Sequence, residues 1–360
     1  MSRLGAWATC TFTIIFNRQP ANLNLSNIHL TSTMEATEEQ KARWSNPYPP
    51  YDKTDFKALA ERDEEFAVLF NSYGGALNWQ DFEVVKAVTK SMLKVDFGLD
   101  ISIPDDRLCP PVPNRWNYVH WIQSLIDSTN PDFSESYDPN REVIGLDIGT
   151  GASAIYAMLM LRTRPNWTMC ATDVDKKSMD SAAANLASNS LLSRTKILQT
   201  IPENSLIPIK AFNVDKLDFT MCNPPWYSSE FEMKAALKGE GKRLPPNAIC
   251  TGSQTEMVYP EGDLGFATKI YEESLELKEK VTWYSCLFGK YTSMISFVQR
   301  LKNENATSNF AVTSLLGGSQ TKRWAVAWSF GSIRPAKVST SRFSCMLFLL
   351  WTVFHKGKFD

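Results

Sequence analysis

Cysteine and histidine are scarce in this chain. The seven cysteines stand at positions 10, 109, 170, 222, 250, 286 and 345, and no two form a CxxC pair. With only three histidines in 360 residues, the pattern argues against a structural zinc site and against a disulfide framework. No metal is expected, and a reducing, intracellular compartment fits. An excess of one charge is also missing. The 38 Lys and Arg against 39 Asp and Glu leave a net charge of -1. No global field draws the chain onto nucleic acid, so any such surface must be a local patch. The apolar run Cys345–Phe354 is about half of the ~20 residues that cross a bilayer, so no membrane helix is expected. The N-terminal stretch MSRLGAWATCTFTIIFNRQ is a broken apolar run without a small-residue cleavage site, and it reads as a tail rather than a signal peptide. What is present is 43% hydrophobic residues. That is enough for one large domain, or a domain with a smaller module, around a sizeable core.

Residues 1–45 carry no periodicity and are expected to form a disordered N-terminal tail. Residues 54–70 place Phe56, Leu59, Phe66, Leu69 and Phe70 at near-helical spacing, with Thr54 as N-cap. Residues 81–94 repeat the pattern. There Lys86, Lys90 and Lys94 share one face, either an ordinary solvated face or a stripe facing phosphates. From residue 141 the texture changes to apolar, β-rich runs alternating with helical stretches. This is the signature of an α/β domain with a mostly parallel sheet, which binds ligands at the carboxyl ends of its strands. Residues 228–262, rich in Gly, Pro, Lys and Arg, read as one long loop, a feature that is usually functional or disordered.

Three motifs carry chemistry. Asp147-Ile148-Gly149-Thr150-Gly151 ends a strand, and its glycines let the backbone turn tightly and approach a ligand. Asp173, at the end of the next strand, suits the two hydroxyls of a ribose, while Asp175 suits the N-cap of the helix that follows. The specific signal is Asn223-Pro224-Pro225-Trp226. A planar amine conjugated to a ring is a poor nucleophile because its lone pair is delocalised. The Asn223 side-chain oxygen and the Pro224 carbonyl can both accept hydrogen bonds from such an amine, fixing its orientation and favouring a pyramidal geometry. The prolines hold the carbonyls rigidly, and Trp226 offers a flat face for a base.

With these motifs in order, the chain resembles class I methyltransferases that act on planar amines. It most resembles the U6 small nuclear RNA adenine-N6 methyltransferase family and its bacterial ribosomal-RNA relatives. The matching words are Asp96-Phe97-Gly98-Leu99 with Ile103-Pro104, Arg115-Trp116-Asn117-Tyr118-Val119-His120-Trp121, the glycine motif through Ser153, Met221 to Pro225, Trp283-Tyr284-Ser285-Cys286, and Arg323-Trp324-Ala325-Val326-Ala327-Trp328-Ser329-Phe330. The resemblance implies a Rossmann-like, seven-stranded, mostly parallel α/β domain over 141–330. It is preceded by a smaller, mainly helical RNA-binding module over 46–140 and followed by an unrelated tail over 331–360.

It implies S-adenosyl-L-methionine as cofactor. Arg115 would reach its carboxylate, the turn of Asp147, Gly149 and Gly151 its methionine part, Asp173 its ribose and Ser205 its adenine. Asn223 would also touch the cofactor, and Asn223 to Trp226 would grip the target adenine. The partner implied is a structured RNA with an unpaired adenosine, contacted by Lys86, Lys90, Lys242, Arg243, Lys322 and Arg323. The setting implied is nuclear, with the cytoplasm as a second location. Two residues depart from the family pattern: Trp226 stands where Phe is usual, and Asp173 where Glu is usual. Two other readings share these motifs, glutamine-N5 methylation of a protein and a non-catalytic RNA-binding role. The basic loop and the Asn117-to-Trp121 word speak against the first. His120 and the aromatic residues Trp283, Tyr284, Trp324 and Trp328 read as core residues, not as an acid–base group or a stacking platform.

Overall fold

The computed structural model describes residues 13–16, 48, 50–51, 53–130, 137–238, 251–316 and 322–333. Apolar runs separated by amphipathic helices pair in parallel, because a parallel neighbour needs a crossover between strands. β2 (Val143–Ile148), β3 (Trp167–Asp173), β4 (Thr195–Gln199), β5 (Leu217–Cys222) and β6 (Val281–Phe288) form this part. β8 (Lys322–Ser329) runs antiparallel between β6 and β7 (Asn309–Leu316). The expected seven strands are therefore present. An eighth, β1 (Thr13–Phe16), pairs antiparallel with β7 at the sheet edge, inside the stretch that read as a tail. Four residues joining an edge through main-chain bonds leave almost no hydropathy pattern to read. The full order is β1-β7-β8-β6-β5-β2-β3-β4. Strand order reverses at β2, which lies between β3 and β5, and this opens a crevice at the carboxyl ends there.

The helix expected over 54–70 is two helices, α1 (Phe56–Arg62) and α2 (Glu64–Ser72). Asp63 ends the first and caps the second, its side chain accepting from Glu65 N. Asp55, not Thr54, caps α1 by accepting from Lys57 N and Ala58 N. Aspartate competes for backbone donors in this way, and a residue inside an apolar periodicity can thereby become a break. α3 (Phe82–Phe97), α4 (Val112–Asp127) and α5 (Ile155–Thr163) follow. These helices cover one face of the sheet and share its core. Leu59, Phe66, Leu93, Trp116, Met158 and Trp283 belong to one buried cluster. The opposite face is covered by α9 (Gly262–Leu277) and α10 (Tyr291–Glu304), around Ile148, Tyr271, Phe297 and Trp328. Trp283, Tyr284 and Trp328 are fully buried and Trp324 is half-buried, all as core strand residues.

The stretch expected to be one loop over 228–262 holds regular structure. α7 (Glu230–Leu237) starts at Ser229, whose side chain accepts from Glu232 N, and α8 (Gln254–Met257) starts at Ser253. A serine cap, acidic residues in the first turn and good helix formers outweigh the Gly and Pro further along. Among the described residues, no helix is long and apolar enough to cross a membrane.

Candidate active site

β2 ends in Asp147-Ile148, and the chain then turns through Gly149 (φ 71°) and Gly151 (φ 64°). These left-handed values favour glycine, and where a Cβ on Gly149 would point there is open space. The turn is tied down from two sides. Thr150 N donates to Thr172 O of β3 at 2.8 Å, and Thr150 Oγ1 donates to Asp147 Oδ2 at 2.8 Å. Asp147 thus lies beneath the turn. It does not line the cavity described below, so its part is to brace the turn rather than to touch a ligand. Burial pushes its carboxyl up to about 7, and its Oδ1 has no hydrogen-bond partner.

A cavity of about 250 Å³ opens at the carboxyl ends of the strands. Arg115, Gly149, Gly151, Asp173, Asn223 and Pro225 line it, together with an apolar strip that includes Ile201, Pro202 and Leu206. Arg115 reaches it from α4, its Nη1 donating to the Tyr156 hydroxyl at 3.1 Å. Asp173 Oδ2 accepts from Gly151 N and Oδ1 from Asp175 N, each at 2.9 Å. Burial pushes the Asp173 carboxyl up, against the pull of these donors. Asp175 caps α6 (Lys176–Ser188) as expected, accepting from Ser178 N at 2.7 Å, and pairs with Arg107 at 2.9 Å.

Asn223 follows β5 directly. The residue lines the cavity, and its Oδ1 is buried without a partner. An acceptor kept from water without a donor costs about 1–3 kcal/mol, so the position is one that a ligand donor would relieve. Pro224 is buried, and neither it nor Trp226 is part of the cavity wall. The Trp226 indole lies against Gly289, where a Cβ would come within 3.2 Å of Cγ and Cδ2. The Arg323 guanidinium sits over the same ring, 4.2 Å from its centroid. The ring face that read as open for a base is therefore covered by Arg323. That residue read as a phosphate contact, but burial lowers its pKa to about 10, and in this conformation it is a cation stacked on an aromatic face.

Other expected contacts divide. Ser205 does not reach the cavity: its Oγ donates to Glu273 Oε2 at 2.7 Å, and Leu206 N and Ile207 N donate to the same carboxylate. The residues that face the cavity from this segment are Thr200, Ile201, Pro202 and Leu206. The expected basic stripe on α3 is largely neutralised, because Lys86 pairs with Glu83 (2.5 Å) and Asp105 (2.8 Å), and Lys94 with Asp63 (3.4 Å). Glu83 lies on the same helix, but Asp105 and Asp63 come from outside it, where a helical wheel does not show them. Lys90 and Lys322 are exposed. Lys242 and Arg243 lie outside the described residues. His120 is away from the cavity, edge-on to Trp116 at 5.9 Å, and burial lowers its pKa to about 4, so it is neutral near pH 7. Among the described residues, no three His, Cys, Asp or Glu side chains cluster so as to hold a metal ion.

Sequence reasoning missed the cavity wall formed by Glu256, Val258 and Tyr259. Tyr227 N donates to Met257 O and Tyr259 N to Tyr227 O, both at 3.0 Å, so this segment is tied to the residue that follows Trp226. The Ser253-x-x-Glu256 spacing was visible as a capping box, but such a box marks a helix start and does not say what the helix faces. Together the cavity offers a guanidinium, carboxylates, an open glycine turn, an apolar strip and one unsatisfied amide oxygen. That donor set fits a ligand with a carboxylate, a diol and a flat ring, which are the parts of S-adenosyl-L-methionine.

Residues 44–332 match the model of a family described as RNA methyltransferase. The chain is 36% identical over 261 residues to the U6 small nuclear RNA (adenine-(43)-N(6))-methyltransferase of Schizosaccharomyces pombe, covering 72% of this chain and 64% of that protein. It is also 36% identical over 306 residues to the RNA N(6)-adenosine-methyltransferase METTL16 of Homo sapiens, covering 84% of this chain and 51% of that protein. The chain thus spans from about half to under two thirds of the length of these relatives. Among solved structures, it is similar to the human METTL16 catalytic domain in complex with MAT2A 3'UTR hairpin 6, with a TM-score of 0.66 and 34% identity over 79% of this chain and 96% of that one. It is likewise similar to the N-terminal domain of human METTL16 in complex with SAH, with a TM-score of 0.60 and 31% identity over 78% of this chain and 95% of that one.

Proposed function

This chain belongs to the RNA methyltransferase family, and on that premise we propose that it transfers a methyl group from S-adenosyl-L-methionine to the exocyclic amine of an unpaired adenosine in a structured RNA. U6 small nuclear RNA is the first candidate, and a nuclear place of action follows only from that substrate. The observation that carries the reading is the buried, unpartnered Oδ1 of Asn223, a residue of the cavity wall. An adenine amine donates to that oxygen and, once the base has displaced Arg323 and opened the wall beside Pro224, to the Pro224 carbonyl; the two acceptors then hold its nitrogen in the geometry for attack. Bound in the cavity, the cofactor supplies a methyl group on a sulfonium, the electrophile.

Arg115 holds the cofactor carboxylate, Asp173 the ribose, and the backbone at Gly149 passes close to the methionine part. Ile201, Pro202 and Leu206 wall the adenine. The reaction needs no strong base, because the amine sheds its proton once the methyl is on. Arg323 leaves the Trp226 ring for an RNA phosphate when the target base stacks there, and Lys90 and Lys322 add salt-dependent affinity. A base buried in a duplex cannot reach the cavity, which favours an adenosine in a loop or bulge. The test is incubation with methyl-labelled S-adenosyl-L-methionine and total cellular RNA, followed by nucleoside digestion. Label in N6-methyladenosine is expected. Label in protein, or in another nucleoside, contradicts the reading.

A further inference from the structure

Asp173 is a short carboxylate already in use, for each of its oxygens accepts a backbone N–H, from Gly151 and from Asp175. The same cavity holds a second carboxylate that the sequence did not point to. Glu256 on α8 is half-buried and lines the cavity with Asp173. Its two oxygens are not equivalent. Oε2 is anchored, accepting from Ser253 N at 2.7 Å, from Ser253 Oγ at 3.0 Å and from Leu108 N at 3.3 Å. Oε1 has one long contact, to Leu108 N at 3.4 Å. It is also the atom that a Cβ on Gly151 would meet, at 3.7 Å. Gly151 therefore lies between the two carboxylates, with its N–H on Asp173 and the Glu256 oxygen over its Cα.

A capping box accounts for the anchored Oε2, not for an oxygen left facing the glycine turn. The segment is fixed at both ends. Thr251 Oγ1 donates to Arg107 O at 2.7 Å, and Tyr227 bridges to Val258 in parallel. Burial raises the Glu256 carboxyl, and the nearby charge of Asp173 adds to that rise. Two like charges held this close call for donors between them. A vicinal diol supplies two, and each carboxylate still has lone pairs to accept one.

We propose that Glu256 is a second ribose-binding residue, which with Asp173 brackets the cofactor diol so that each carboxylate accepts one hydroxyl. The proposal rests on the cofactor reading above.

The test is calorimetric binding of S-adenosylhomocysteine and of its 2′-deoxy and 3′-deoxy analogues to the wild type, Glu256→Ala and Ser253→Ala. In the wild type, loss of either hydroxyl should weaken binding about tenfold or more, the worth of a hydrogen bond to a charged acceptor. In Glu256→Ala, loss of one of the two should weaken it less than about threefold. Ser253→Ala breaks the cap but keeps the carboxylate, so it should retain the wild-type ratios. Unchanged ratios in Glu256→Ala overturn the proposal, as do ratios lost equally in Ser253→Ala. Should Glu256→Ala fail to fold, Glu256→Gln, which keeps the cap, replaces it with the same expectations. A wild type that binds none of the three ligands overturns the cofactor reading itself.

Discussion

The two ends of the parallel strands use buried polar groups differently. At the amino ends two guanidinium groups and an indole tie the fold together. Arg164 Nη2 donates to Asp127 Oδ2 at 2.6 Å, and its guanidinium lies over the rings of Tyr137 (4.0 Å) and Trp167 (5.2 Å). Arg194 donates to the carbonyls of Leu161, Arg164, Pro165 and Trp167 at 2.8 to 3.1 Å. Trp283 Nε1 donates to Thr129 Oγ1 at 3.1 Å. At the carboxyl ends, Asn223 Oδ1, Asp147 Oδ1 and Trp226 Nε1 are buried without partners. Buried polar groups in folded proteins are nearly all satisfied, and of these three residues only Asn223 lines the cavity, so its oxygen marks where stability is given up for a ligand. The amino end holds the fold together, and the carboxyl end holds the chemistry.

If that division is right, substitutions at the two ends separate cleanly. The largest effect is expected for Asn223→Ala, a loss of about 100-fold or more in methyl transfer with a melting temperature that holds or rises, since an unsatisfied acceptor is removed, read by single-turnover assay and calorimetry. Arg164→Met should do the reverse. It strands the buried Asp127 carboxyl and costs about 3 kcal/mol of stability, seen in denaturant unfolding, while activity per folded molecule is kept. Trp226→Ala is expected to lower transfer by about tenfold through lost base stacking, whereas Trp226→Phe should stay within about threefold of wild type.

The smallest effect concerns pH. Folding lowers the His120 pKa from 6.5 to about 4, so between those values the native state binds fewer protons than the unfolded chain. The stability this difference provides is complete above the unfolded value and is lost as pH falls through the window. His120→Gln should therefore flatten the acid side of a melting-temperature profile by a few degrees and leave activity near pH 7.5 unchanged.

The layered fold was legible because its signals are local. Strand and helix periods, the glycine turn at Gly149 and Gly151, and the cap at Asp175 all sit within a few residues of one another. The Asn223-to-Trp226 motif was legible in type and order, and the structure adds that Asn223 Oδ1 is left without a partner. What failed was long-range. Lys86 is neutralised by Asp105, Ser205 is drawn to Glu273, and Arg323 covers Trp226 from a strand almost one hundred positions away. No window of sequence contains both members of such a pair. Glu256 was hidden for the same reason, since a capping box says where a helix begins and not which cavity it borders.

The most direct measurement sets Asn223→Ala beside the wild type in three parallel readings: N6-methyladenosine formed in RNA, affinity for S-adenosylhomocysteine, and melting temperature. The account predicts that the first is lost while the second and third hold, because Asn223 Oδ1 waits for the substrate amine and supports neither the fold nor the ribose end of the cavity. A variant that still methylates RNA at close to the wild-type rate, or one that loses activity only in step with its stability, would contradict it.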